Sequence, residues 1–130
     1  MKTAVRYYSK LGNTKRIAEA IAEEAGVKAI SVTDEPDLTE YADVLFLGGA
    51  PYANIMAPQL REYAERLPAD KIGRVALFTT SNWSRRTVRA LRKILTEKGI
   101  PGEKRYFYAH MTRIKARIGP AKDFVGMIIK

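Results

Sequence analysis

The stretch Ala4-Val5-Arg6-Tyr7-Tyr8-Ser9-Lys10-Leu11-Gly12-Asn13-Thr14-Lys15-Arg16 decides the fold, because an apolar strand runs through a short polar loop straight into a helix. Beyond the loop, Ile17, Ala18, Ile21, Ala22 and Ala25 recur at helical spacing, with Lys15, Arg16, Glu19, Glu23 and Glu24 on the other side. Gly26 supplies a C-terminal stop. A strand–loop–helix unit of this kind is a phosphate cradle. The helix N-terminus presents unpaired N–H groups and the positive end of its dipole, and Ser9 and Thr14 add hydroxyls. Gly12 lets the backbone approach an anion where a Cβ would intrude. The loop lacks the Gly-Lys-Ser/Thr ending of a Walker loop and the three glycines of a dinucleotide fingerprint. The competing structural reading makes Thr14 a helix cap and Gly12 a turn residue.

Further along, apolar runs alternate with helical patterns. Strands are expected over residues 27–32, 43–49, 75–80 and 105–109, and the run Asp43-Val44-Leu45-Phe46-Leu47-Gly48-Gly49 suits a strand buried on both faces. Pro58 marks a helix start, with Leu60, Tyr63, Ala64 and Leu67 on one face. Residues 87–98 form a second amphipathic helix closed by Gly99, residues 38–41 offer at most one helical turn, and residues 110–119 are too polar for a core strand and too broken for a clear helix. A short helical tail follows. The pattern predicts one α/β domain over residues 1–130: an open, doubly wound parallel sheet of five strands in order 2-1-3-4-5 with helices on both faces. Ligands of such sheets bind outside the carboxyl ends of the strands, at the switch point between strands 1 and 3.

That rule groups three loops. The first is the phosphate-cradle loop. The second, Gly48-Gly49-Ala50-Pro51-Tyr52-Ala53-Asn54-Ile55-Met56-Ala57-Pro58, carries an aromatic at its rim, and the third, Thr79-Thr80-Ser81-Asn82-Trp83-Ser84, carries the sole tryptophan. Tyr52 and Trp83 on loops flanking one crevice are placed to sandwich a planar ring, with hydroxyl and backbone groups between them for its polar edge. The plain alternative is that both rings cover the ends of the sheet.

The loop Ser9-Lys10-Leu11-Gly12-Asn13-Thr14 resembles the phosphate loop of flavodoxins, Ser/Thr-x-x-Gly-Asn/x-Thr directly after the first strand. Gly49-Ala50-Pro51-Tyr52 and Thr80-Ser81-Asn82-Trp83 resemble that family's two flavin-facing loops. The resemblance covers about residues 2–109 and implies an FMN-binding protein of flavodoxin-like fold. It assigns the phosphate to Ser9, Lys10, Leu11, Gly12, Asn13 and Thr14, and the ring system to Pro51, Tyr52, Ala53, Asn54, Ile55, Thr80, Ser81, Asn82 and Trp83. Leu11 departs from the pattern, since many members carry a hydroxyl there, and Ala53-Asn54 replaces the glycine that lets a peptide flip. The implied function is electron transfer between redox partner proteins, with no catalytic residues of its own. Alternatives are an FMN-dependent reductase of a quinone or other small molecule, and a flavin-free interaction module.

Composition narrows the field. There are no cysteines, which excludes disulfides, thiol catalysis and iron–sulfur ligation, so any redox group must be an organic cofactor. The single histidine, His110, has no local carboxylate partner, and no metal-ligand pattern is present. No apolar run is long enough to span a bilayer and the first residues enter a strand at once, so a cytoplasmic protein is expected. The formal charge is +9, split as −3 over residues 1–70 and +12 over residues 71–130. Flavodoxins are typically acidic, so this chain's basic half implies partners with acidic docking surfaces. Arg85, Arg89, Arg92 and Lys93 form a stripe that nucleic acid could use, but few aromatics interleave with it and no nucleic-acid motif accompanies it.

Overall fold

The computed structural model describes residues 1–53 and 55–129. Five parallel strands make the sheet: β1 (Thr3–Tyr7), β2 (Ala29–Ser31), β3 (Ala42–Gly49), β6 (Ile72–Ser81) and β7 (Phe107–His110), in spatial order β2-β1-β3-β6-β7. With β4 (Pro51–Tyr52) and β5 (Ile55–Met56) set aside as a separate antiparallel ribbon, this is the expected 2-1-3-4-5 order. The helices are α1 (Asn13–Ala25), α2 (Pro58–Glu65), α3 (Arg86–Lys98) and α4 (Ile114–Ile129). None is long and apolar enough among the described residues to cross a membrane.

Period-two alternation in the buried strands divides the core into two layers. Val44 and Phe46 of β3 point to one face with Val5, Phe78 and Phe107, against Ile17 and Ile21 of α1 and Phe124 and Val125 of α4. Leu45 and Leu47 point to the other with Val75 and Leu77, against Leu60 and Tyr63 of α2 and Val88, Leu91 and Leu95 of α3. Every helix follows a parallel strand and so begins at the carboxyl end of the sheet. That shared end is where the three loops meet.

Several boundaries differ from the sequence expectation. The second strand is trimmed to Ala29–Ser31, and residues 38–41 form no helical turn. Gly48 and Gly49 close β3 instead of opening the loop after it. A Cβ on Gly48 would lie 2.4 Å from both the ring and the carbonyl oxygen of Phe78, so glycine is required by the neighbouring strand. The largest correction is α4: the segment that reads as broken is a 16-residue helix with Pro120 inside it. Burial of Ile114, Ala121, Phe124, Val125 and Ile128 overrides the local penalties of Gly119, Pro120 and Gly126. Lys122 of α4 donates to Glu23 of α1 at 2.8 Å across the top of this layer, which lowers the Glu23 carboxyl and raises the Lys122 ammonium from their ordinary values.

Candidate functional site

The loop after β1 turns through Gly12, whose φ of 95° lies in the left-handed region that favours glycine. No side chain caps α1, so the capping role considered for Thr14 is not what the structure shows. Thr14 sits one residue inside the helix with its hydroxyl buried, 2.7 Å from the Thr80 hydroxyl at the end of β6. Arg16 N–H donates to the Gly12 carbonyl, while the N–H groups of Asn13, Thr14 and Lys15 have no acceptor among the described residues. Three N–H groups without acceptors at the positive end of a helix, beside two buried hydroxyls, are the kind of donor set that helix N-termini offer to anions.

Two further donors of this loop are already occupied. Gly12 N–H donates to Ser9 Oγ at 3.0 Å, and Lys10 N–H donates to the Tyr52 hydroxyl at 2.7 Å. Tyr52 therefore folds back over the cradle, its ring edge-on to Tyr8 at 6.2 Å. Burial raises the Tyr52 phenol above its ordinary value, and the Lys10 N–H partly offsets this.

The third loop is held by a network of its own. Ser81 Oγ donates to the Ser84 carbonyl at 2.6 Å, Tyr108 Oη donates to the Ser81 carbonyl at 3.0 Å, and Trp83 N–H donates to Tyr108 Oη at 3.0 Å. Arg85 binds the assembly from behind, with its guanidinium carbon 3.5 Å from the Tyr108 ring centroid, Nε on Tyr106 Oη at 2.8 Å and Nη1 on the Trp83 carbonyl at 3.1 Å. Trp83 is thereby kept at φ 78°, unusual for a bulky residue, with 75% of its surface exposed and its ring edge-on to His110 at 4.8 Å. Replacing Arg85 with methionine keeps the apolar stem and removes these contacts. The variant is expected to lose about 1–2 kcal/mol of stability in urea titrations, and Trp83 emission should lose anisotropy as its loop is released.

A cleft of about 340 Å³ opens between the loops, lined by Ser9, Leu11, Asn13, Thr14, Ala50, Pro51, Tyr52, Thr80, Ser81, Asn82, Ser84 and Met111. That volume falls within the range of small-molecule sites. Of the residues named from sequence, Ser9, Leu11, Asn13, Thr14, Pro51, Tyr52, Thr80, Ser81 and Asn82 line it. Lys10, Gly12, Ala53, Ile55 and Trp83 belong to the same loops but not to its wall, and Asn54 lies outside the described residues. Ala53 takes a φ of 51° at the tip of the β4–β5 ribbon. Ala50, Ser84 and Met111 join the wall without having been singled out; Met111 comes from the loop after β7, which strand order alone could have brought in. The arginine stripe is partly spent inside the protein, since Arg92 donates to the carbonyls of Glu103 and Lys104 and Arg85 braces Trp83. Among the described residues no cluster of His, Asp and Glu could hold a metal ion.

An open parallel sheet in the order β2-β1-β3-β6-β7 with helices on both faces defines the flavodoxin-like class. The family profile described as "Flavodoxin domain" matches residues 4–111, and the chain belongs to the flavodoxin family. Its fold is similar to that of a short-chain flavodoxin associated with a non-canonical PDU bacterial microcompartment (14% identity, 99% of this chain and 97% of that one, TM-score 0.76). It is also similar to oxidised flavodoxin 2 of Bacillus cereus (17% identity, 96% and 95% covered, TM-score 0.72). A third similar structure is a flavodoxin mutant of Fusobacterium nucleatum bound to flavin mononucleotide (19% identity, 100% and 98% covered, TM-score 0.68). No curated protein matches the chain.

Proposed function

We propose that the cleft binds FMN and that the protein transfers electrons between redox partner proteins in the cytoplasm. The observation that carries this reading is the set of N–H groups without acceptors at Asn13, Thr14 and Lys15 at the start of α1, whose Asn13 and Thr14 line the same cleft as Tyr52, Ser81, Asn82 and Ser84. An anion site at one end and an aromatic rim at the other match a ligand with a phosphate tail and a planar ring. The flavodoxin of Fusobacterium nucleatum solved with flavin mononucleotide supports the same choice.

Each residue then has a defined task. The three helix-terminal N–H groups donate to the phosphate, and the helix dipole offsets its charge. Lys10 N–H and Gly12 N–H, which rest on Tyr52 Oη and Ser9 Oγ, would be further donors for the phosphate. Thr80, by bonding Thr14, fixes the floor. Pro51 and Tyr52 form one wall for the ring, with Ala53 and Ile55 on the same ribbon. Ser81 and Asn82 present polar groups opposite, and Trp83 is an aromatic plate at the mouth. Bound FMN supplies reversible one- and two-electron carriage. The protein contributes binding, orientation and exclusion of water from the ring.

The test is an absorbance spectrum before and after incubation with FMN and desalting. A retained flavin band at one FMN per chain is expected, and a colourless protein after desalting overturns the proposal. Steady turnover of a quinone with a nicotinamide donor and no added partner would replace electron carriage with a reductase activity at the same site.

A further inference from the structure

The cleft end of the molecule has a charge pattern that its own stability does not explain. All four helices begin at this end, and α1, α2, α3 and α4 each lack an acidic residue in the first turn. Carboxylates there would be stabilised by the helix dipoles. The chain instead places cations at these positions: Lys15 and Arg16 in α1, Arg86 in α3 and Lys115 in α4, with Lys10 and Arg113 in the preceding loops. All six are exposed, and none is in a salt bridge among the described residues. The loops after β1, β3, β6 and β7 contain no Asp or Glu. The acidic segment with Asp34, Glu35, Asp37 and Glu40 also leaves the carboxyl end of the sheet, from the edge strand β2 beside β1, so the cations lie on the β1, β6 and β7 side of this end and the carboxylates on its β2 edge.

Four of the seven exposed large apolar side chains among the described residues, Leu11 (71% exposed), Ile55 (60%), Trp83 (75%) and Met111 (37%), lie on the segments that follow β1, β3, β6 and β7 at this end. Leu11 and Met111 also line the cleft. Exposed apolar side chains flanked by cations are the anatomy of a protein docking face.

Resting on the FMN reading, which makes this cleft the redox centre, we propose that this end is the docking face for an acidic partner protein. The partner's carboxylates would meet Lys15, Arg16, Arg86, Arg113 and Lys115 beside an apolar contact with Leu11, Ile55, Trp83 and Met111. Complementary charge steers the encounter and sets the orientation, and the apolar contact holds it once formed. The cations on the segments after β1, β6 and β7 also repel basic proteins, which gives this side of the face selectivity.

Titration of the isotopically labelled protein with an acidic plant-type ferredoxin, followed by NMR, tests the face. Basic cytochrome c serves as counter-probe, and the apoprotein and the FMN-loaded protein are both titrated. Ferredoxin is expected to shift the amides of Leu11 and Met111 and the Trp83 indole at low ionic strength, and the shifts should vanish by about 0.5 M salt. The variant Arg16→Glu/Arg86→Glu/Lys115→Glu should bind at least about tenfold more weakly. Its new carboxylates lie at helix N-termini, where they favour folding, so loss of binding is not loss of structure. Equal binding of cytochrome c, shifts centred on another face, or unchanged affinity in the variant would each overturn the proposal. Because the apoprotein is also titrated, failure to retain FMN removes the functional reading while leaving the docking result legible.

Discussion

Truncating Phe124 to alanine is expected to destabilise the protein by about 3–5 kcal/mol, enough to approach the whole stability of an ordinary domain. Phe124 is 4% exposed, and its ring meets Phe46 of β3 at 6.0 Å and Phe107 of β7 at 5.7 Å between centroids. It is the point at which α4 is pinned to both the centre and the edge of the sheet. Removing it forfeits the transfer energy of the ring and leaves a cavity between two layers that cannot fully collapse. Urea denaturation followed by circular dichroism reads the loss. Met127, three residues on but 56% exposed, gives the control: Met127→Ala should change stability by less than about 0.5 kcal/mol. A Phe124→Ala variant as stable as the parent would mean that α4 is an appendage and not part of the core.

The contrast between α4 and the other elements indicates which parts of the fold the sequence makes legible. In β3 and α1, local pattern and tertiary environment agree: a continuous apolar run is buried on both faces, and an amphipathic stripe faces the sheet. In α4 they conflict. Gly119, Pro120 and Gly126 all speak against a helix, and only the surface offered by α1, Phe46 and Phe107 makes one worthwhile. That surface is non-local and leaves no local trace. The β4–β5 ribbon is missed for a related reason, since two-residue strands carry no periodicity.

At the site, backbone chemistry was the legible part. Gly12 and the strand–loop–helix order place a left-handed turn and a helix start directly after β1, where the sequence pattern expects them. What the pattern could not supply is the state of the hydroxyls: that Thr14 would spend its contact on Thr80, or that Tyr52 would rest on Lys10 N–H. Trp83 is a milder case. Its loop was located correctly, but its outward, braced position depends on Tyr106 and Tyr108 of a distant segment and on Arg85, whose stacking role the charge count conceals.

Asn13→Asp is expected to move stability and FMN affinity in opposite directions. Asn13 is the first residue of α1 and lines the cleft. A carboxylate there faces the positive end of the helix dipole and should stabilise the apoprotein by about 0.3–1 kcal/mol. With FMN bound as proposed, the same carboxylate would face the dianionic phosphate. Repulsion at the effective dielectric of a partly open site costs on the order of 2–3 kcal/mol, or roughly 30- to 200-fold in affinity. Fluorescence quenching titrations with FMN and thermal melts of the apoprotein read the two effects on one sample. High salt should recover part of the lost affinity, because screening weakens the repulsion. The opposed signs make the test specific, since a substitution that merely damaged the loop would lower both quantities together. If affinity is unchanged while the melt rises, the phosphate does not sit at the start of α1 and the cradle belongs to another ligand.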